Sequence, residues 1–313
     1  MTGSDLSRRR LPLMVAESPN PGPIVWLTGC GHGDEVGGMV IIQEIFKKIR
    51  KSSLLKGSLH AFPLMNPIGF ETVSRNITLS KEDLNRSFLG NENGSLAERI
   101  ADTIFSTIEK TNPSLVLDLH NDWTKSIPYT LVDPLLDDQY QEANEKAKIF
   151  SHQTGFMAVL DTEDIHKTLS YSLLQHGIPA LTIELGESYV VNEINVEYGV
   201  KSISNILSFL EMIEPVRESF RHRFGEVFQG QILKFSHHPV SSTSGIIRFL
   251  VKPGDTVQRG RPVARIYNSF GKLQETITAH SEGIVLGHSD SSVAFPGAPV
   301  MAFAVPKLGY YNG

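Results

Sequence analysis

One short stretch restricts the fold more than any other. Ile24-Val-Trp-Leu27 is an apolar, β-prone run, and Gly29, Gly31 and Gly33 follow it at once. A buried strand therefore ends in a loop whose backbone can approach a ligand without side chains in the way. Beyond Gly38, Met39, Ile42, Ile45, Phe46 and Ile49 recur at helical spacing. Strand, glycine loop and helix in that order predict an α/β fold with its ligand site at the C-terminal end of a parallel strand. His32 and Glu35 stand in that loop. An imidazole and a carboxylate three residues apart can reach one ion, and a zinc site of the catalytic His₂Glu type takes three protein ligands and leaves a fourth position open.

The third ligand comes from a second apolar run. Ser114-Leu-Val-Leu-Asp-Leu-His120 reads as a strand that delivers His120 at its C-terminal end. Asp118 points to the same side of that strand and can orient the imidazole, as carboxylates behind metal-binding histidines commonly do. Cys30 is the one cysteine of the chain. It excludes an intrachain disulfide, fits a reducing cytoplasm, and reads as a small residue of the glycine turn.

With 313 residues, 40% of them hydrophobic, the chain can build one large core and a smaller one. No apolar run approaches the ~18–20 residues that span a bilayer, so no membrane role is expected. A net charge of −5 with no basic block argues against nucleic acid as a partner. Arg8-Arg9-Arg10 precedes too short an apolar run for a secretory signal, and residues 1–10 read as a leader arm.

After the first helix, Gly57–Met65 reads as a strand ending in the turn Asn66-Pro67. The segment from there to Phe88 has little periodicity but carries Arg75 and Asp83-Leu-Asn-Arg86. A loop of that length within an α/β domain is usually functional or disordered, and its Arg and Asn content favours function. Ser95–Lys110 is amphipathic. A polar stretch after His120 leads to a helix around Asp138–Thr154, then to the strand Met157–Leu160, the acidic loop Asp161-Thr-Glu-Asp164 and a helix through Leu169 and Leu173. Ile178–Gly186 is a buried strand with a single carboxylate, Glu184. Such a charge is costly unless it is paired or used, which leaves a satisfied core acid and a general base as alternatives. A further helix is expected over Gly199–Ile213. From about Glu214 short β-like segments alternate with Gly turns, the signature of a small all-β sandwich or barrel.

Taken together, His32-Gly-Asp-Glu35, Asn66-Pro67 with Arg75, Asp83-Leu-Asn-Arg86 with Phe88, Asp118-Leu-His120 and Glu184-Leu-Gly186 resemble the succinylglutamate desuccinylase/aspartoacylase family, relatives of zinc carboxypeptidases. The resemblance covers nearly the whole chain. It implies a zinc-carboxypeptidase-like α/β fold, a mixed sheet with helices on both faces, in residues 1–220, and a small C-terminal barrel-like β domain in 221–313. It implies one Zn²⁺ on His32, Glu35 and His120, Glu184 as base, Arg75 near the scissile carbonyl, and Asn85 and Arg86 on a substrate carboxylate. The expected reaction is hydrolysis of a small N-acyl amino acid. A carboxypeptidase acting on short peptides and a non-catalytic binding or carrier protein are the alternatives, and a homo-oligomer stays open.

Relatives of the aspartoacylase type carry a further arginine before the base, for a second substrate carboxylate; here no Arg occurs from Ser151 to Pro215. Asp161, Glu163 and Asp164 stand there instead. The expected substrate side chain is therefore neutral or basic, as in the relatives that deacetylate N-acetyl-diaminobutyrate during ectoine breakdown. The C-terminal region is similar to biotinyl/lipoyl barrels. Lys272 sits near a carrier position, but its flanks Phe270-Gly271 and Leu273 lack the modification motif.

Overall fold

The computed structural model describes residues 10–307 except 136, 163–165, 224–227 and 229. Strands β1 (Met14–Glu17), β2 (Ile24–Gly29), β3 (Ser58–Phe62) and β4 (Leu115–Asp122) alternate with helices α1 (Gly37–Ser52), α2 (Pro67–Glu71) and α3 (Leu96–Glu109). Then come β5 (Lys125–Ser126), β6 (Pro128–Val132), α4 (Gln141–Gln153), β7 (Ala158–Leu160), α5 (Leu169–Leu174), β8 (Ala180–Glu187) and α6 (Glu193–Phe209). The remaining strands are β9 (Ile232–Ser236), β10 (Gly245–Phe249), β11 (Thr256–Val257), β12 (Pro262–Tyr267), β13 (Leu273–Thr278), β14 (Gly283–His288), β15 (Val293–Ala294) and β16 (Met301–Val305).

Alternation along the central strands decides where the layers and the site lie. Val25 and Leu27 of β2, Leu115, Leu117 and Leu119 of β4, and Leu181, Ile183 and Leu185 of β8 share one core with Ile41 and Ile45 of α1 and Ile203 and Ile206 of α6. The intervening residues Trp26, Val116 and Ala180 face a second core with Ile100 and Ile104 of α3 and Leu169 and Leu173 of α5. Because side chains alternate between faces, Thr28, Asp118, His120, Thr182 and Glu184 continue the row of Trp26, Val116 and Ala180. The apolar row becomes polar only towards the C-terminal ends of these strands.

The main sheet has the order β1-β3-β2-β4-β8-β6-β7-β9-β16-β14-β11, with β5 paired to β14. Neighbours are parallel from β3 through β2 and β4 to β8, and again from β6 through β7 to β9; β1, β6 against β8, and everything beyond β9 are antiparallel. The second sheet, β13-β12-β10-β15, packs Ile247, Val263, Ile266 and Ile277 against Val285, Met301 and Phe303 of β14 and β16. The opposite face of β14 and β16 sends Ile284, Leu286, Ala302 and Ala304 into a cluster with Ile127, Tyr129 and Phe235. The expected class, a mixed α/β sheet covered on both faces with an all-β C-terminal part, is the observed one. Lys272 is exposed beside the turn that joins β12 to β13.

Several boundaries differ from expectation. The polar stretch after His120 contains β5 and β6, which the pattern missed because β6 starts at a proline and is only five residues long. The long aperiodic loop contains α2, capped by Asn66, whose Oδ1 accepts from the Gly69 amide at 2.8 Å. The last helix starts six residues before Gly199, because the Asn192 side chain caps the amides of Ile194 and Asn195. It ends at Phe209, where Met212 N–H bonds the Leu207 carbonyl and Glu211 takes a left-handed φ of 54°.

Candidate metal centre

The loop between β2 and α1 is held by backbone that tolerates no added bulk. A Cβ on Gly33 would stand 1.9 Å from the carbonyl carbon of Gly69 in α2. A Cβ on Gly38 would stand 2.8 Å from the Leu119 carbonyl oxygen, so this glycine lets the start of α1 touch β4. Cys30 adopts a left-handed φ of 51° and is fully buried. Burial, then Glu35 and Asp34, push its thiol up to about 12, which leaves it protonated and structural.

This packing brings together the three proposed ligands. His32, Glu35 and His120 are all buried, and one donor atom from each lies within 4.8 Å of the others. His32 Nδ1 is 2.6 Å from Glu35 Oε1, and His120 Nδ1 is 2.7 Å from Glu35 Oε2. The outer ring nitrogens meet carboxylates: His32 Nε2 is 3.1 Å from Asp83 Oδ1, and His120 Nε2 is 3.0 Å from Asp118 Oδ2. The Thr28 hydroxyl donates to Asp118 Oδ1 at 2.7 Å and fixes it in turn. Two imidazole Nδ1 atoms and a carboxylate turned towards one another, each imidazole backed by an acid, form an N/O donor set that fits a divalent cation. Burial disfavours the charged form of every member of this set. The opposed charges outweigh it, so that Glu35 is held well below the usual carboxylate range and both imidazoles above theirs.

Glu184 lies beside His120 in the parallel pairing of β4 with β8, and beside Tyr129 in the antiparallel pairing of β6 with β8. Its Oε2 is enclosed and has no hydrogen-bond partner among the described residues. Burial first, then Asp122, hold its carboxyl well above the ordinary range, against the pull of His120 and Arg75. Asp122 itself accepts the Tyr129 hydroxyl at 2.6 Å, and burial lifts it to about 6.

Arg75 reaches Glu35 Oε1 at 3.3 Å and Asp83 Oδ2 at 3.4 Å while remaining 49% exposed, so its guanidinium faces both the donor set and solvent. Asn85 is buried, with Oδ1 accepting the Leu169 amide at 3.0 Å and Nδ2 3.4 Å from His120 Nε2. Arg86 is exposed and donates to the Asn85 carbonyl at 2.8 Å. Its charge acts on Asp83 and on Asp161, whose carboxyl is raised by burial and lowered by the Thr162 amide and Arg86. Glu163 and Asp164 of the same loop fall outside the described residues. Sequence pattern does not single out Asp122 or Tyr129 for the places they take beside Glu184. Asp83 carries one signal, its position two residues before Asn85.

Residues 21–210 match the family model described as the succinylglutamate desuccinylase/aspartoacylase catalytic domain. The chain is similar to N-alpha-acetyl-L-2,4-diaminobutyric acid deacetylase of Halomonas elongata, 29% identical over 269 residues that cover 82% of this chain and 74% of that protein. In three dimensions it is similar to the product-bound ectoine utilization protein EutE (DoeB) from Ruegeria pomeroyi, with a TM-score of 0.82 and 22% identity over 97% of this chain and 92% of that one. A metallo-carboxypeptidase from Burkholderia cenocepacia shares the fold more loosely, with a TM-score of 0.51 and 18% identity over 64% of this chain and 60% of its own. These two structural likenesses bear on the fold, which is carboxypeptidase-like.

Proposed function

The chain belongs to the succinylglutamate desuccinylase/aspartoacylase family, and from that premise we propose that it is a zinc-dependent amidohydrolase that removes the acyl group from a small N-acyl amino acid. The observation that carries this reading is the buried His32, Glu35, His120 set with the unpartnered Glu184 Oε2 on the adjacent strand. His32, Glu35 and His120 would hold the ion. Zinc bound there supplies Lewis acidity towards an amide carbonyl and makes a proton of a nearby water easier to remove.

The chain's own groups account for the rest. Glu184 Oε2 accepts that proton and hands it to the departing amine nitrogen, which leaves only once protonated. Arg75 places positive charge where the carbonyl oxygen becomes negative, an interaction that strengthens towards the transition state. Asn85 and Arg86 take the substrate's α-carboxylate, Arg86 through its planar fork of donors.

The substrate side chain is read as neutral or basic. Supporting this are the absence of Arg from Ser151 to Pro215, the acid Asp161 in that stretch, and the diaminobutyric acid deacetylase among the relatives. In this reading residues 1–220 carry the chemistry, and residues 221–313 form an unmodified β unit that supports it.

The test is amine release from a panel of N-acyl amino acids by zinc-loaded protein, with Glu184→Ala in parallel. Selective turnover that is lost in the variant while zinc stays bound is the expected result. Hydrolysis of short peptides in preference to N-acyl amino acids would replace the reading with a carboxypeptidase, and no turnover with zinc bound would remove it.

A further inference from the structure

The second sheet has an apolar outer face. Ile247 and Ile266 turn inward to the core of the β unit, so Ile246 and Arg248 of β10 and Arg265 and Tyr267 of β12 turn outward. Register lines the apolar residues up: Val293 of β15 stands opposite Ile246, Ile246 opposite Tyr267, and Tyr267 opposite Leu273 of β13. Ile246, Val293 and Leu273 are each roughly half exposed, and Phe270, in the turn between β12 and β13, is 94% exposed. Single apolar residues on a surface need no explanation, whereas a row that crosses all four strands of a sheet does. The charges on this face are of one sign. Arg248 and Arg265 are exposed and opposite each other, the Arg248 guanidinium 5.9 Å from the Tyr267 ring centre, and neither pairs with an acid among the described residues. Glu275 of β13, opposite the inward Ile266, is taken up by Ser241 and Ser242.

A surface of the opposite charge lies at the entry to α6. Val190, Val191 and Ile194 are exposed there, Ile194 by 60%. Flanking them in sequence, Glu187, Glu193 and Glu197 bring three negative charges against Lys201, which pairs with Glu197 at 2.6 Å. Glu193 is exposed and has no ion pair among the described residues, and no Lys or Arg occurs from Thr168 to Val200. Asn192 and Asn195 donate to Glu187 Oε2 at 3.2 and 3.0 Å and tie this segment to the helix, so its apolar side chains are displayed on fixed backbone and need little ordering to be covered. The same division of charge runs through the whole chain. Residues 231–313 hold eight Lys and Arg and four Asp and Glu, whereas residues 1–230 hold 21 and 30.

We propose that the protein self-associates, the outer face of the sheet β13-β12-β10-β15 in one copy docking on the α6 entry of a second copy. The two surfaces are alike in apolar character and opposite in charge, and every copy carries both. Covering the apolar row supplies affinity, and Arg248 and Arg265 against Glu193 and Glu197 select the partner and its orientation. Because the contact joins two different patches, the assembly closes as a two-fold pair that makes it twice or as a ring that makes it once per copy.

The test is sedimentation velocity of the full chain over a range of concentrations, for wild type, for a variant carrying Arg248→Glu with Arg265→Glu, and for one carrying Glu193→Arg with Glu197→Arg. All four positions are exposed, so the unfolding midpoints should stay within about 3 °C of wild type. Wild type should sediment as an oligomer that dissociates on dilution. Each variant alone should associate at least about tenfold more weakly, because like charges then face each other across the contact. An equimolar mixture of the two variants should recover association, since the reversed face of one meets the reversed patch of the other. A wild type that is monomeric at every concentration overturns the proposal, as does an oligomer indifferent to both reversals or a mixture no better than its components. Monomeric protein that cosediments with phosphatidylserine vesicles, and loses this with the two arginines, also overturns it and assigns the face to an anionic membrane surface.

Discussion

Replacing Asp133 by Asn should stabilise the protein at alkaline pH and leave it almost unchanged in acid. Asp133 directly follows β6 and is 4% exposed. The charges of Asp161 and Asp118 oppose ionisation of its carboxyl and Ser170 favours it, and the charge of Asp133 in turn raises the Tyr171 hydroxyl. Burial, then Asp161, push its pKa from an ordinary 3.8 to about 7. The folded protein thus keeps a proton that the unfolded chain releases, so stability falls as pH rises through that window. At ~1.4 kcal/mol per pH unit, the interval from 3.8 to about 7 corresponds to roughly 4 kcal/mol as an upper bound. Asn is uncharged throughout. Urea unfolding of metal-free wild type and Asp133→Asn at pH 4.5 and pH 8 measures the effect, and the comparison at each pH cancels the titration of the metal-binding histidines. The variant should gain about 2–4 kcal/mol at pH 8 and differ by no more than about 1 kcal/mol at pH 4.5. A variant less stable than wild type at pH 8 would show that ionised Asp133 is paired and refute the reasoning, as would an equal gap at both values.

Asp118→Asn removes the charge behind His120 Nε2 and should weaken zinc binding about 10–100-fold, measured by competition with a chromophoric chelator; unchanged affinity would deny Asp118 its orienting role. Gly33→Ala places a methyl 1.9 Å from the Gly69 carbonyl carbon, which only a shift of α2 can relieve. It should cost at least about 2 kcal/mol in thermal or urea unfolding, and a wild-type midpoint would show that the loop is looser than its packing implies.

The strand, glycine loop and helix around His32 could be read directly, because local pattern determines them: an apolar run, residues without side chains, then helical spacing. The same holds for Ser95, whose side chain and that of Glu98 form reciprocal bonds at the start of α3. His120 and Glu184 were each visible as a polar residue ending an apolar strand. Their adjacency was not, because it comes from the register of β4 against β8, a long-range pairing that no local pattern encodes. Asp122 and Tyr129 escaped for the same reason: β6 looked like a loop, so nothing suggested that Tyr129 would face Glu184. The C-terminal β texture was plain, yet its strands also extend the main sheet through β9, which composition does not reveal.

The extension of the sheet through β9 bears on how the protein is made. The ribosome releases β6 and β7 well before β9, and β14 and β16, which extend the sheet beyond β9, come later still. Until β9 arrives, the nascent chain exposes unpaired amides and carbonyls along β7, and an open edge of this kind can recruit strands from other chains. A product ending shortly after α6 would keep every proposed metal ligand and leave that edge open. For this chain, β9 and the strands beyond it are what close the β7 edge of the main sheet.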